Sequence, residues 1–164
     1  GIIGLGNIGR RVADIAKAFG CRVIYYSTSG RNSQPGYERV SFDELLEQSD
    51  IVSIHAPLDE NTLGLMNKEA FAKMKKSAIL LNVGRGPIIN EADLAEALNN
   101  KTIAAAGLDV LSVEPMQEDN PLRGIKDSER LLITPHIAWA GVEARNRLMG
   151  IILGQIKEFF KAHE

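Results

Sequence analysis

The chain has 164 residues, 45% of them hydrophobic and 24% charged, with a formal net charge of -2 and a pI near 6.0. That length suits one globular domain with its own core, and the near-neutral balance offers no basic footprint for a nucleic-acid backbone. The single Cys21 cannot form an internal disulfide, and no apolar run approaches the ~20 residues of a bilayer span. The composition points to a cytoplasmic protein with neither a nucleic-acid nor a membrane partner.

Gly1-Ile2-Ile3 reads as a short strand that runs into Gly4, Gly6 and Gly9, a G-x-G-x-x-G turn. With no initiator Met and a strand that begins at the first residue, the chain reads as a domain separated from something upstream. Ile8, Val12, Ile15, Ala16 and Phe19 share one helical face, and Gly20 stands where a helix C-terminus favours glycine. Val23 to Tyr26 is a second strand, followed by a polar loop from Ser27 to Gly36. Ser41 and Glu44 form a capping box for a short helix through Leu45 and Leu46, and Ile51 to Ile54 is a third strand. A helix near Lys68 to Met74, a strand Ile79 to Val83, a helix near Glu91 to Leu98 and a strand Ile103 to Leu108 continue the alternation. Leu131 to Thr134 is a sixth strand. An amphipathic helix from about Glu143 carries Leu148, Ile152, Ile156 and Phe159 on one stripe. The alternation, with several strands apolar on both faces, predicts a doubly wound α/β domain whose parallel sheet is covered on both sides.

Ligands of such sheets bind outside the carboxyl ends of the strands. There the glycine turn lets a backbone approach a pyrophosphate, and the following helix aims free N–H groups at it. The acid expected about 20 residues on, to accept the ribose hydroxyls of NAD, is missing: Ser27-Thr28-Ser29 takes its place, with Arg31 behind. Hydroxyls can still bond a ribose, and without the anion a 2′-phosphate is no longer repelled, so NADP use stays open. Arg31 either pairs with that phosphate or lies in its loop touching nothing.

Arg85, between Gly84 and Gly86, emerges from an uncharged strand and suits a carboxylate through its planar fork of donors; a surface ion pair is the plainer alternative. His136, after the sixth strand, is the side chain best suited to exchange a proton near neutral pH, although a histidine there is more often structural. Glu114 tilts the choice, since a carboxylate paired to an imidazole fixes its tautomer. Asp109 either holds a nicotinamide carboxamide or caps its turn. Trp139 either walls a substrate pocket or needs no role. The histidines at 55, 136 and 163 lack metal-ligand spacing, Asn7 after Gly6 excludes a P-loop, and no Tyr is followed four residues later by Lys.

Taken in order, Gly4-Leu5-Gly6-Asn7-Ile8-Gly9, His55-Ala56-Pro57-Leu58, Asn82-Val83-Gly84-Arg85-Gly86, Gly107-Leu108-Asp109-Val110, Glu114-Pro115 and Pro135-His136 resemble the NAD-binding domain of the D-isomer-specific 2-hydroxyacid dehydrogenases. The ending Pro135 to Ala140 is similar to the glycerate dehydrogenase, or hydroxypyruvate reductase, branch. The resemblance spans essentially the whole chain and implies a Rossmann-type domain over residues 1–164, lacking an upstream substrate domain and the start of its first strand. It implies NAD or NADP as cofactor, a small 2-oxo or 2-hydroxy acid as substrate, and a homodimer formed through this domain. By it Arg85 orients the substrate, His136 is the general acid/base and Glu114 its partner. Gly4, Gly6, Asn7, Ile8, Gly9, Ser27, Thr28, His55, Ala56, Pro57, Thr62, Val83, Gly84, Arg85, Asp109, His136 and Ala138 then line the cofactor. Some relatives of the family act as dinucleotide-regulated corepressors, which is the competing expectation. The Arg–Glu–His order argues against alanine dehydrogenases and homocysteine-forming hydrolases.

Overall fold

The computed structural model describes residues 1–31 and 33–163. The elements are β1 (Ile2–Ile3), α1 (Asn7–Ala18), β2 (Ile24–Tyr26), β3 (Glu38–Arg39), α2 (Phe42–Gln48), β4 (Ile51–Ile54), α3 (Lys68–Lys73), β5 (Ile79–Asn82), α4 (Glu91–Asn99), β6 (Ala105–Leu108), β7 (Leu131–Ile133) and α5 (Val142–Lys161). The strands form one all-parallel sheet in the order β3-β2-β1-β4-β5-β6-β7. The chain winds outward from β1 one way and then restarts at β4 the other way. This is the doubly wound α/β fold that the alternation predicts.

Local chemistry sets the helix starts. Ser41 and Glu44 exchange the two bonds of a capping box, with the Glu44 N–H donating to the Ser41 hydroxyl at 3.2 Å and the Ser41 N–H to the Glu44 carboxylate at 2.8 Å. Asn67 caps α3 and Asn90 caps α4. Alternation of side chains along β1 then splits the core. Ile2 joins Leu5, Ala13, Val23 and Tyr25 beneath α1, whereas Ile3 faces the larger cluster with Leu45, Leu46, Phe71, Leu80, Leu94 and Leu98 from α2, β5, α3 and α4.

Four features depart from the sequence reading. The sheet has seven strands, because Glu38–Arg39 adds an edge strand beside β2 that carries no apolar signal. In α1 the buried residues are Gly9 and Ala13, while Ile8, Ile15 and Phe19 are exposed. At 3.6 residues per turn the packed face therefore lies about a third of a turn from these large apolar residues. Cover of the sheet is complete on one face, under α2, α3 and α4, and partial on the other among the described residues: α1 packs over β1 and β2, while Ile51, Ile79 and Leu132 are exposed on the rest of that face. Finally, α5 forms over the expected stretch, but none of its described residues is buried.

Candidate active site

The strand registers bring the site together. Ile3 pairs with both Tyr26 and Ile54, Ile54 with Asn82, Asn82 with Leu108, and Leu108 with Ile133. The residues after these positions therefore leave the sheet side by side along its carboxyl edge, and the strand order reverses between β1 and β4, where ligand crevices form in such sheets.

At that reversal Gly4 has φ of 89°, and a Cβ there would lie 2.7 Å from the Ala56 nitrogen. A Cβ on Gly9 would lie 2.3 Å from the Gly4 carbonyl oxygen. Those two contacts fold the turn against residues 55–57 and seat α1 on the turn. Gly6 is different: a Cβ there would meet nothing within 4 Å, so the glycine leaves open space at the N-terminus of α1. Gly6 caps α1 without a side chain, the first turn holds no acid, and the Asn7 side-chain oxygen is taken by Arg10 at 2.6 Å. The first-turn N–H groups and the positive end of the helix dipole thus face an anion-favouring position, with the exposed Ile8 beside it.

At the end of β2, Ser27 is buried, and its hydroxyl has no hydrogen-bond partner among the described residues. An orphaned hydroxyl at the carboxyl end of β2 fits a ribose, and Thr28, half-buried, follows it. Arg31 is exposed. The far side of this loop is tied to α1, since the Lys17 ammonium lies 4.0 Å above the Tyr37 ring and donates to the Gly36 carbonyl at 2.5 Å, while the Tyr37 hydroxyl donates to Asp14. The glycine turn, the uncapped helix and the orphaned Ser27 together fit a dinucleotide.

Past β4, the His55 Nε2 lies 2.9 Å from the Ser53 hydroxyl, and burial pushes the imidazole below its ordinary pKa, so it is neutral near pH 7. Ala56 is buried and Pro57 exposed beside it. Thr62 follows in the same loop. It is fully buried, its hydroxyl donates to the Pro57 carbonyl at 2.7 Å and accepts from the Asp59 N–H at 2.8 Å, and it therefore staples its own loop, with no exposed surface to offer a ligand.

Past β5, the buried Asn82 side chain folds the Arg85 turn. Its amide donates to the Arg85 carbonyl at 2.9 Å and its oxygen accepts from the Gly84 N–H at 3.0 Å. Val83 and Arg85 are exposed on this turn, and the guanidinium donates to the Gly84 carbonyl at 2.8 Å. A Cβ on Gly86 would sit 2.0 Å from the Leu111 carbonyl, which brings the Arg85 turn directly onto the segment carrying Glu114. Glu91, in the first turn of α4, fixes that segment by accepting from the Ser112 N–H at 2.7 Å and from the Asn120 amide at 2.8 Å.

Glu114 and His136 meet. The Glu114 carboxylate lies 2.8 Å from His136 Nδ1, and its other oxygen accepts from the Leu111 N–H at 2.9 Å. Those bonds, the backbone one foremost, hold the Glu114 carboxyl below the usual carboxylate range. An ionised Glu114 facing Nδ1 favours a proton there and leaves Nε2 as the exchanging atom. His136 has φ of 54°, a left-handed backbone that costs of order 1 kcal/mol for a residue with a Cβ.

For Asp109 the turn-capping alternative is the one observed. Its carboxylate accepts from the Thr134 hydroxyl at 2.5 Å, the Ile137 N–H at 2.9 Å and the Ala138 N–H at 2.8 Å. Burial alone would raise this carboxyl, but the three donors outweigh it and the net shift is downward. Ala138 contributes its N–H to this cap. Trp139 is half-exposed and donates its indole N–H to the His136 carbonyl at 2.8 Å. The sequence offered Asn82 only as a member of its motif and gave neither it nor Glu91 a role, and for Trp139 it offered a pocket wall or no role.

Residues 1–138 match the D-isomer specific 2-hydroxyacid dehydrogenase, NAD binding domain. The chain is 48% identical over 166 residues to the hydroxypyruvate reductase of Blautia hydrogenotrophica, a match that covers 98% of this chain and 50% of that protein. Among solved structures it resembles the D-lactate dehydrogenase of Aquifex aeolicus complexed with NAD and lactic acid, with a TM-score of 0.90 and 29% identity over 98% of this chain and 53% of that one. It also resembles an acyclic imino acid reductase in complex with NADPH and D-Arg, with a TM-score of 0.86 and 34% identity over 98% of this chain and 50% of that one. The chain spans about half the length of the relatives it matches. The chain belongs to the D-isomer-specific 2-hydroxyacid dehydrogenase family, whose NAD-binding domain it comprises.

Proposed function

We propose that the full-length protein is an NAD(P)-dependent oxidoreductase that interconverts a small 2-oxo acid and the corresponding D-2-hydroxy acid, with hydroxypyruvate or glyoxylate as the substrate class. The observation that carries this reading is the contact between Glu114 and His136 at the same sheet edge as Arg85 and the open N-terminus of α1. Its relatives named hydroxypyruvate reductase and glyoxylate reductase support it.

The bound dinucleotide supplies, or accepts, a hydride at its nicotinamide. The chain's own residues do the rest. The Arg85 guanidinium grips the substrate carboxylate and polarises the adjacent carbonyl oxygen. In reduction His136 Nε2 gives its proton to the oxygen that becomes a hydroxyl; in oxidation the neutral ring takes that proton back. Glu114 keeps the Nδ1 proton in place and balances the imidazolium charge. The N-terminus of α1 takes the pyrophosphate, and Ser27 with Thr28 takes the adenosine ribose.

Further parts of the proposal concern the whole protein. A second portion, of about the same length as this chain to judge from its relatives, supplies the rest of the substrate site. The protein is a cytoplasmic homodimer joined through this domain, a state that sedimentation measures. No helix among the described residues is long and apolar enough to cross a membrane. The corepressor-like alternative is set aside, because the relatives carry the names of reductases and dehydrogenases. The test is oxidation of NADH or NADPH by the full-length protein with hydroxypyruvate or glyoxylate, with chiral analysis of the product from hydroxypyruvate. D-glycerate supports the proposal; the L-isomer, or no oxidation with any 2-oxo acid, overturns it.

A further inference from the structure

The proton-transfer role of His136 depends on where its ring points, and the chain fixes that direction through groups outside the Arg85, Glu114 and His136 set. The His136 N–H donates to the Thr134 carbonyl at 2.9 Å, which holds the peptide plane that precedes the left-handed His136, whose φ is 54°. The next peptide unit is gripped at both ends. Its carbonyl, that of His136, accepts from the Trp139 indole at 2.8 Å, and its N–H, that of Ile137, donates to Asp109 at 2.9 Å. Asp109 also takes the Ala138 N–H, and the Thr134 hydroxyl donates to it in turn. Both soft dihedrals of His136 are therefore held, and Glu114 holds the ring. Strained residues persist where their surroundings over-determine them in this way.

Trp139 is 56% exposed, so its bond to the His136 carbonyl, rather than core packing, is what ties it down. Asp109 is 5% exposed, and three of its roughly four lone-pair directions are already filled from within the chain. We infer that Trp139 and Asp109 are positioning residues for His136: they lock the 136–137 peptide, and through it aim Nε2 at the substrate oxygen. Thr134 acts in the same set by orienting the Asp109 carboxylate. The inference rests on the reading of His136 as the proton-transfer group.

The test uses the full-length protein. Trp139→Phe keeps an aromatic ring and removes the indole donor; Thr134→Val keeps the shape and removes the hydroxyl; Asp109→Asn sets an amide against backbone donors. Misplacement of a reacting group by about 1 Å costs about a hundredfold in rate. The expected result is a kcat lowered about tenfold in Trp139→Phe and about a hundredfold in Asp109→Asn, with NADH affinity by fluorescence titration within twofold of the unmodified protein. The low-field proton resonance of His136 Nδ1, in histidine-labelled protein, is expected to shift or broaden in both variants. Thr134→Val carries the same expectation, at about threefold to tenfold in kcat, should Trp139→Phe fold poorly. Unchanged kcat and an unchanged resonance would overturn the inference, as would a loss confined to NADH affinity or to thermal stability. His136→Ala separates the two levels: if it retains turnover, the reading of His136 fails, whereas an inactive His136→Ala beside a fully active Trp139→Phe and Thr134→Val removes the positioning claim alone.

Discussion

Gly86→Ala is the sharpest structural perturbation. A methyl at this position would sit 2.0 Å from both the carbonyl carbon and the oxygen of Leu111 and 2.4 Å from the Ser112 nitrogen. All three atoms belong to backbone, so no side chain can turn aside, and the Arg85 turn has to move away from the Leu111–Glu114 segment. Overpacking of this kind costs about 1–3 kcal/mol. For a chain of this size each kcal/mol is worth about 2–4 °C in Tm, so the expected fall is about 2–12 °C. The same displacement separates Arg85 from the Glu114 and His136 pair, and kcat/KM should fall by more than the loss of folded protein accounts for. Gly124→Ala is the control, since a Cβ there would meet nothing within 4 Å and its Tm should stay within about 1 °C. Differential scanning calorimetry and steady-state kinetics on the full-length protein read both effects. A Gly86→Ala protein whose Tm and kcat/KM match the unmodified protein would refute the claim that these two backbone segments are in contact.

Because Ser27 stands where the ribose-binding acid is expected, NADPH should bind within about tenfold of NADH, a gap of about 1.4 kcal/mol, and Ser27→Asp should widen the preference for NADH; a fluorescence titration that finds strong NADH preference in the unmodified protein ends this idea. The Asp109 carboxyl is depressed in the folded chain, so its stabilising contribution is complete above its ordinary value near 3.9 and is lost as pH falls through the folded value. The stability difference between the unmodified protein and Asp109→Asn should therefore shrink below about pH 4 in urea titrations, and a constant difference down to pH 2 would contradict the assignment. Thr62→Val removes the hydroxyl bonds to the Pro57 carbonyl and from the Asp59 N–H at a fully buried position and should cost about 1–3 kcal/mol of stability while NADH affinity stays within twofold. A tenfold loss of affinity at unchanged stability would restore Thr62 to the ligand edge.

The alternation of apolar strands with amphipathic helices made the fold legible, because the strands of a parallel sheet read as continuous apolar runs such as Ile79-Leu80-Leu81, here even where Ile79 itself is exposed. What escaped the sequence was structure carried by other forces. Glu38–Arg39 is held as a strand by backbone pairing to Ile24 and Tyr25 and by the Arg22–Glu38 ion pair, none of which produces a hydrophobic pattern. In α1 the large residues Ile8, Ile15 and Phe19 drew the eye, yet the packed face belongs to Gly9 and Ala13, since close helix–strand approach selects small side chains over apolar ones. At the site, Arg85, Glu114 and His136 stood out because their chemistry is distinctive at strand ends. Glu91 did not, and Asn82 and Trp139 entered only as members of motifs without the roles seen here, because each acts by bonding backbone atoms whose position only the fold defines. Asp109 could be read two ways until the Thr134, Ile137 and Ala138 donors were seen around it.

The central claim is that His136, held by Glu114, is the group that moves the proton in the proposed reaction. The most direct test is His136→Ala in the full-length protein, with kcat for 2-oxo acid reduction and NADH affinity measured side by side. General acid catalysis contributes about 10²–10⁴-fold, so kcat should fall by at least about a hundredfold with NADH affinity within twofold. A variant that turns over at the unmodified rate would contradict the account.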